Sequence, residues 1–220
     1  MAPLKIAVAK GRIADTAREL LTEGGIGFPD VLPDERKLII TSSSGTHQLL
    51  LVKPADVPTY VEQGAADLGI AGKDTILEEC KDVYEVLDLG IGGCRMVVAG
   101  FPDSTPDAVQ TLKVATKYPN IAGSYFVQEG IRAEISKLHG SIELAPLAGL
   151  ADVIVDIVET GATLRENGLV VLREIAQVSA RVIVNKASFA TRTDDVRQCL
   201  QLLEKGVGKQ HEATDGLAAD

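Results

Sequence analysis

The stretch Val153 to Gly168, VIVDIVETGATLRENG, joins an apolar run carrying one acid to a loop of small and hydroxylated residues and then to a helix-forming segment. At a helix start the first amide N–H groups have no intrahelical partner and carry partial positive charge, so Thr160, Gly161, Ala162, Thr163 and Leu164 are suited to wrapping a phosphate. Gly161 and Ala162 permit close approach, and the hydroxyls of Thr160 and Thr163 add donors. Asp156, on the strand before the loop, is placed to accept hydrogen bonds from sugar hydroxyls just beyond that phosphate, and ribose 5-phosphate fits the pair. The same letters also satisfy a capping box, in which Thr163 caps the helix and Glu166 reaches back to the cap amide. Phosphate loops and capped helices share one physics, so this stretch alone leaves both readings open.

Lys10-Gly11-Arg12, at a strand-to-helix turn, offers cations and amides to an anion, although an exposed basic turn is also ordinary solvated surface, as are Arg36, Lys53 and Lys73. Glu143, Asp152, Asp156 and Glu159 form a set of carboxylates, of which strand alternation puts Asp152 and Asp156 on one face and Glu159 off it. That arrangement suits hydroxyl or magnesium ligands better than an acid-base dyad. Gly90 to Arg95, GIGGCR, lacks the third glycine of a dinucleotide fingerprint and precedes a strand, so it is either a turn crossing between domains or a substrate-facing loop. There is no P-loop lysine motif. His47, His139 and His211 stand alone, and no serine or cysteine lies in a nucleophile motif.

The elements that position these residues alternate. A strand at Lys5–Ala9 leads into a helix stopped by Gly24-Gly25; Lys37–Thr41 and Gln48–Val52 flank a polar hairpin connection; a short helix ends near Gly64 and Asp67–Gly72 is a buried strand. Strands follow at Val83–Leu89, Arg95–Ala99 and Lys113–Thr116, then a long helix up to His139, and strands at Ser141–Ala145 and Asp152–Val158. After a β-branched run from Leu169 to Val184, Thr193–Lys205 forms an amphipathic helix with Val196, Leu200 and Leu203 on one face, and the tail from Gly206 is expected to fray. The pattern predicts α/β layers with mainly parallel sheets, no internal repeat, and a domain boundary near residue 100. At 220 residues, with 45% apolar residues, the chain suits one large domain or two small ones. A net charge of −9 without a long Lys/Arg run argues against a nucleic-acid partner, and no apolar run reaches the ~18 residues of a membrane span. Met1 to Ala9 lacks the features of a signal peptide, and Cys80, Cys94 and Cys199 have no metal-ligand spacing, which together predict a cytoplasmic protein.

Gly140-Ser141-Ile142-Glu143-Leu144-Ala145-Pro146, Gly149-Leu150-Ala151-Asp152 and Asp156 through Gly168 resemble ATP phosphoribosyltransferase, as do Lys10-Gly11-Arg12, Ala66-Asp67-Leu68-Gly69-Ile70 and Gly92-Gly93-Cys94-Arg95. The resemblance runs in order over nearly the whole chain. It implies a fold like type II periplasmic binding proteins, with one domain at 1–98 plus 182–220 on the ATP and pyrophosphate side, a second at 99–181 for phosphoribosyl pyrophosphate, and the active site in the cleft between them. It further implies the short form, without the C-terminal regulatory domain, and the first step of histidine biosynthesis. There N1 of the ATP adenine displaces pyrophosphate from C1 of phosphoribosyl pyrophosphate, with Mg²⁺ as cofactor. The implied partner is a regulatory subunit resembling histidyl-tRNA synthetase, with the chain a homodimer within a hetero-oligomer.

Carried over by position, the resemblance implies that Thr160 to Leu164 hold the 5-phosphate and that Asp156 with Glu143 or Asp152 meets the ribose hydroxyls. It implies likewise that Lys10, Gly11, Arg12, Arg36, Lys53 and Arg95 face ATP or pyrophosphate from the other domain, the cations among them carrying the catalytic charge neutralisation. Lys53 stands where the family has an arginine, keeping the charge without the bidentate geometry. The resemblance does not assign metal ligands. A non-catalytic small-ligand binder of the same fold, and a phosphoribosyltransferase for another base, are the competing readings.

Overall fold

Leu4–Ala9 is buried at five of its six positions and forms β1, a central strand covered on both faces. In the computed structural model, which describes residues 2–29, 37–107 and 110–217, β1 lies in a sheet with β2 (Ile39–Thr41), β3 (His47–Val52), β4 (Leu68–Gly72), β5 (Tyr84–Asp88) and β11 (Ala180–Val184). Its order is β2-β3-β1-β4-β11-β5. The second sheet, β10-β6-β9-β7-β8, is built from β6 (Cys94–Gly100), β7 (Leu112–Thr116), β8 (Ala133–Lys137), β9 (Val153–Val158) and β10 (Val170–Val178). The helices are α1 (Arg12–Gly24), α2 (Val57–Glu62), α3 (Lys73–Glu79), α4 (Pro119–Gln128), α5 (Leu144–Leu147), α6 (Ala162–Glu166), α7 (Lys186–Thr191) and α8 (Thr193–Leu217). The chain divides into two α/β units, residues 1–92 with 179–220 and residues 93–178.

The two sheets repeat one plan, where the sequence suggested no repeat. β1 pairs in parallel with β3 and β4, β4 pairs antiparallel with β11, and β11 with β5. Likewise β7 pairs in parallel with β8 and β9, β9 antiparallel with β6, and β6 with β10. The correspondence reaches single residues. The Lys5 N–H donates to Asp67 Oδ2 at 2.9 Å while the Asp67 N–H donates to the Lys5 carbonyl at 2.9 Å. Lys113 and Asp152 repeat this at 2.8 and 2.9 Å.

Several elements differ from their expected extents. Cys94–Gly100 lies wholly in the second sheet because its ladder partners are β9 and β10, so the break falls at residues 92–93 rather than 98–99; Ala180–Val184 pairs with β4 and β5, which moves the return to residue 179. The long helix up to His139 is α4 followed by β8, because Gly130 turns the chain at φ 71° and Ala133–Lys137 then pairs with β7. Ser141–Ala145 is a turn leading into α5, with Ser141 at φ 47°. Among the described residues no helix is long and apolar enough to cross a membrane.

The core of the first unit is closed by α1 and α8. Leu20, Leu21, Val196, Cys199 and Leu203 are buried against β1 and β4, each large apolar side chain contributing about 1.5–3 kcal/mol. Burial holds the Cys199 thiol up at about 12, which keeps it protonated. The helix runs on past Gly206 instead of fraying, because that glycine is itself a contact: a Cβ there would lie 2.3 Å from the Leu20 carbonyl oxygen, and one at Gly24 would lie 2.3 Å from that of Leu202. Gly206→Ala is therefore expected to push α8 off α1 and destabilise the protein by about 1–3 kcal/mol, a fall of several degrees in melting temperature by circular dichroism. An unchanged melting temperature would show that the helices do not meet backbone to backbone.

Candidate active site

The loop after β9 takes its shape from Gly161, which caps α6 in the left-handed region at φ 72°, ψ 12°. With α6 beginning at Ala162, Thr163 is its second residue and cannot be its N-cap, and Gly161 supplies no side chain to cap it. The capping-box reading is thereby set aside. The Ala162 N–H is engaged by Thr160 Oγ1 at 3.3 Å, while the amides of Thr163 and Leu164, in the first turn, have no carbonyl one turn ahead of them to meet. Arg165 straps the loop from behind, its Nη1 donating to the Thr160 carbonyl at 3.0 Å, and buried Leu164 anchors the helix beside Val158 and Leu169.

Alternation along β9 puts Val153 and Val155 in one apolar layer and Ile154 and Val158 in the other, so Asp156 shares a face with Ile154, Val158 and the packed residues of α5 and α6. Its carboxylate is mostly buried, with Oδ1 accepting the Ile157 N–H at 2.8 Å and lying 3.4 Å from Lys117 Nζ. Burial pushes the Asp156 carboxyl above its ordinary range; the Lys117 ammonium opposes that and the Glu143 charge adds to it. Glu143, half-buried at the start of α5, therefore belongs to the same constellation. Lys117 follows the last residue of β7, where buried Thr116 donates its hydroxyl to the Val155 carbonyl at 2.6 Å and accepts the Tyr118 N–H at 2.8 Å, tying the ends of β7 and β9 together. Sequence reasoning missed Lys117, since a lone lysine after a strand carries no spacing signal; the repeated plan of LKIAVA and LKVAT would have drawn attention to that strand end.

Asp152 does not join this group. It precedes the other end of β9, about 20 Å from the loop at roughly 3.3 Å per residue, with its carboxylate committed to the Lys113 N–H. Arg95 is also placed differently from its expected domain. It lies in β6 of the second unit, in register with Val158, with its guanidinium 3.3 Å from Glu174 of β10.

In the first unit, Lys10 and Lys53 follow the ends of adjacent parallel strands, the Lys10 N–H donating to the Val52 carbonyl at 2.9 Å. Gly11 caps α1 and Arg12 is its first residue, so exposed Lys10, Arg12 and Lys53 surround a helix N-terminus whose dipole favours an anion. Lys73 is neutralised by Glu85 at 2.5 Å. Arg36 lies outside the described residues. Among the described residues no group of three or more His, Cys, Asp or Glu side chains is placed to hold a metal ion.

The model of the ATP phosphoribosyltransferase family matches residues 53–205. An ATP phosphoribosyltransferase of Thermoanaerobacter sp. strain X514 is 52% identical over 208 residues, covering 94% of this chain and 97% of that one. Among solved structures, the ATP phosphoribosyl transferase (HisG:HisZ) complex from Thermotoga maritima superposes at a TM-score of 0.82 with 35% identity, over 94% of this chain and 99% of its own. The periplasmic aliphatic sulphonate binding protein of Escherichia coli has the same fold at 14% identity, with a TM-score of 0.62 over 98% of this chain and 72% of its own.

The two aspartates of β9 are expected to separate by variant. Asp152→Ala leaves the Lys113 N–H without its acceptor and costs about 1–2 kcal/mol of stability with no loss of affinity for a ribose 5-phosphate ligand. For Asp156 the folded-state value lies above the unfolded one, so stability is highest below the unfolded carboxyl range and falls as pH rises through the folded value. Asp156→Asn does not ionise and gives up only a half-exposed ion pair, so it should be more stable than the parent at neutral pH, with the gain vanishing below about pH 4. Urea unfolding across pH checks both; an Asp156→Asn protein less stable than the parent at neutral pH contradicts the assignment.

Proposed function

The chain belongs to the ATP phosphoribosyltransferase family and is a phosphoribosyltransferase of the first step of histidine biosynthesis, and we propose that residues 160–164 hold the 5-phosphate of its donor, phosphoribosyl pyrophosphate. The observation that carries this assignment is the left-handed Gly161 cap, which turns the first amides of α6 outward just beyond the strand bearing Asp156. With the phosphate on those amides, the ribose hydroxyls reach Asp156, with Glu143 beside it. Asp152, clamped at the far end of β9, has no part in donor binding.

Adenine N1 carries its own lone pair, so the transfer needs no nucleophilic side chain and no strong base. N1 forms a bond to C1 as the bond from C1 to the pyrophosphate oxygen breaks, and the leaving group keeps that electron pair. The centre gains oxocarbenium character, and the protein's work is positioning and neutralising charge on the departing pyrophosphate. Lys10, Arg12 and Lys53, with the amides at the start of α1, form the cationic surface for ATP and pyrophosphate, and Arg36 is added to it on the family pattern. Arg95, beside Val158, is reassigned to the donor. Mg²⁺, when bound, would supply further neutralisation of the pyrophosphate, taking most of its ligands from substrate phosphates and water.

The solved relative from Thermotoga maritima is a complex of HisG with HisZ, which supports a second chain as partner here. The regulatory role of that partner, and a homodimer of this chain inside the assembly, are proposed on the family resemblance alone. The chemistry, on ATP and an activated sugar phosphate, suits the cytoplasm.

Incubation with ATP, phosphoribosyl pyrophosphate, Mg²⁺ and pyrophosphatase is expected to yield phosphoribosyl-ATP by mass, and no product with or without the regulatory partner would contradict the reading. Gly161→Val places a β-branched residue in the left-handed region with its Cβ 3.2 Å from Arg165 Nη1. Affinity for phosphoribosyl pyrophosphate should fall about tenfold or more, matching a loss of at least ~1.4 kcal/mol, while circular dichroism stays that of a folded protein. Unchanged affinity in the folded variant would remove the loop from the site.

A further inference from the structure

Lys117 combines position, partner and exposure in a way that the loop and its acid do not by themselves require. β7 and β9 are parallel, with Thr116 opposite Val155, so Lys117 is level with Asp156 at the carboxyl ends of neighbouring strands, where open α/β sheets bind ligands. Ala115 faces the same apolar layer as Ile154 and Val158, and alternation puts Lys117 on that face with Asp156. The ammonium lies 3.4 Å from Asp156 Oδ1 and 5.4 Å from the Tyr118 ring centroid, with the lysine side chain 38% exposed and the aspartate 13%. Both ends of the pair keep some exposure, the lysine more than the aspartate.

We propose that Lys117 is a positioning residue of the donor site, its ammonium fixing the direction of the Asp156 carboxylate so that Oδ2 is presented to the ribose hydroxyls. This rests on the assignment of the donor to the loop of residues 160–164. Asp156 Oδ1 is already occupied, by the Ile157 N–H and by Lys117, which leaves Oδ2 as the acceptor. The charged groups facing Asp156 are Lys117 from the end of β7 and Glu143 from the start of α5; from β6 it meets uncharged Val97, with Arg95 two residues along and turned to Glu174. Lys117 is accordingly the cation that offsets both burial and the Glu143 charge. A carboxylate that accepts from sugar hydroxyls must be aimed at them, so removing Lys117 should act through the direction of Asp156.

The test compares the parent with Lys117→Met, Lys117→Arg, Asp156→Asn and the Lys117→Met, Asp156→Asn double variant at neutral pH, measuring binding of phosphoribosyl pyrophosphate and, separately, its KM and kcat. Lys117→Met is expected to weaken donor binding and raise KM about tenfold or more, with kcat changed less. Lys117→Arg should restore the affinity, and the double variant should bind no worse than Asp156→Asn alone. Parental affinity in folded Lys117→Met overturns the proposal, as do additive losses in the double variant. Should Lys117→Met not fold, Lys117→Gln is read by the same criteria. If Asp156→Asn itself binds the donor as the parent does, the donor assignment fails instead, so the two failures are distinguishable.

Discussion

Asp152 ties the start of β9 to Lys113 by two reciprocal hydrogen bonds, and the register this sets against β7 runs to the opposite end of the strands, where Thr116 closes it on the Val155 carbonyl. A slip of one residue would turn Asp156 into the layer of Val153 and Val155, burying a carboxylate among Met96, Leu112 and Phe126 without its lysine, and would carry the loop off the strand end. The parallel pair β7 and β9 is therefore the frame of the proposed donor site. Asp67 and Lys5 set the same frame in the first sheet, where it leads to Lys10, Arg12 and Lys53.

The two proposed sites use a helix start at a strand end in the same way, with opposite emphasis. In the first unit exposed Lys10, Arg12 and Lys53 stand by the start of the 13-residue α1, a setting that favours a phosphate chain. In the second, uncharged amides of a short helix meet a half-buried acid whose proton affinity is raised by burial and checked by one lysine. A neutral amide cradle beside a carboxylate is what a sugar phosphate needs: donors for the phosphate and an acceptor for the hydroxyls. A carboxyl raised by burial beside a single cation is the kind of group found at binding sites, which favours the proposed role of Asp156.

Much of this was legible in the sequence because local chemistry determined it. The apolar runs of β1, β4 and β9, the glycines that end α1 and shape the loop after β9, and the apolar stripe of α8 each act within a few residues. What could not be read depends on distance along an element or on pairing. Alternation along β9 is silent on the separation that keeps Asp152, which precedes the strand, from the loop. β8 escaped notice because Ala133–Lys137 is only partly buried and owes its form to pairing with β7. Arg95 was assigned to the wrong unit because strand pairing, not local sequence, decides which sheet Cys94–Gly100 joins. The repeat of the two sheets lies in topology and in two Lys–Asp clamps 85 and 108 residues apart in number, Asp67 to Asp152 and Lys5 to Lys113, and its trace in the sequence is confined to short runs such as LKIAVA and LKVAT.

Titrating ¹⁵N-labelled protein with phosphoribosyl pyrophosphate and following amide resonances tests directly where the donor's phosphate sits. The expected result is large, saturable shifts at Gly161, Thr163 and Leu164, with smaller ones at Ile157 and Lys117 and none at Lys113 or Asp152. Saturable shifts that spare residues 160–164 would contradict it.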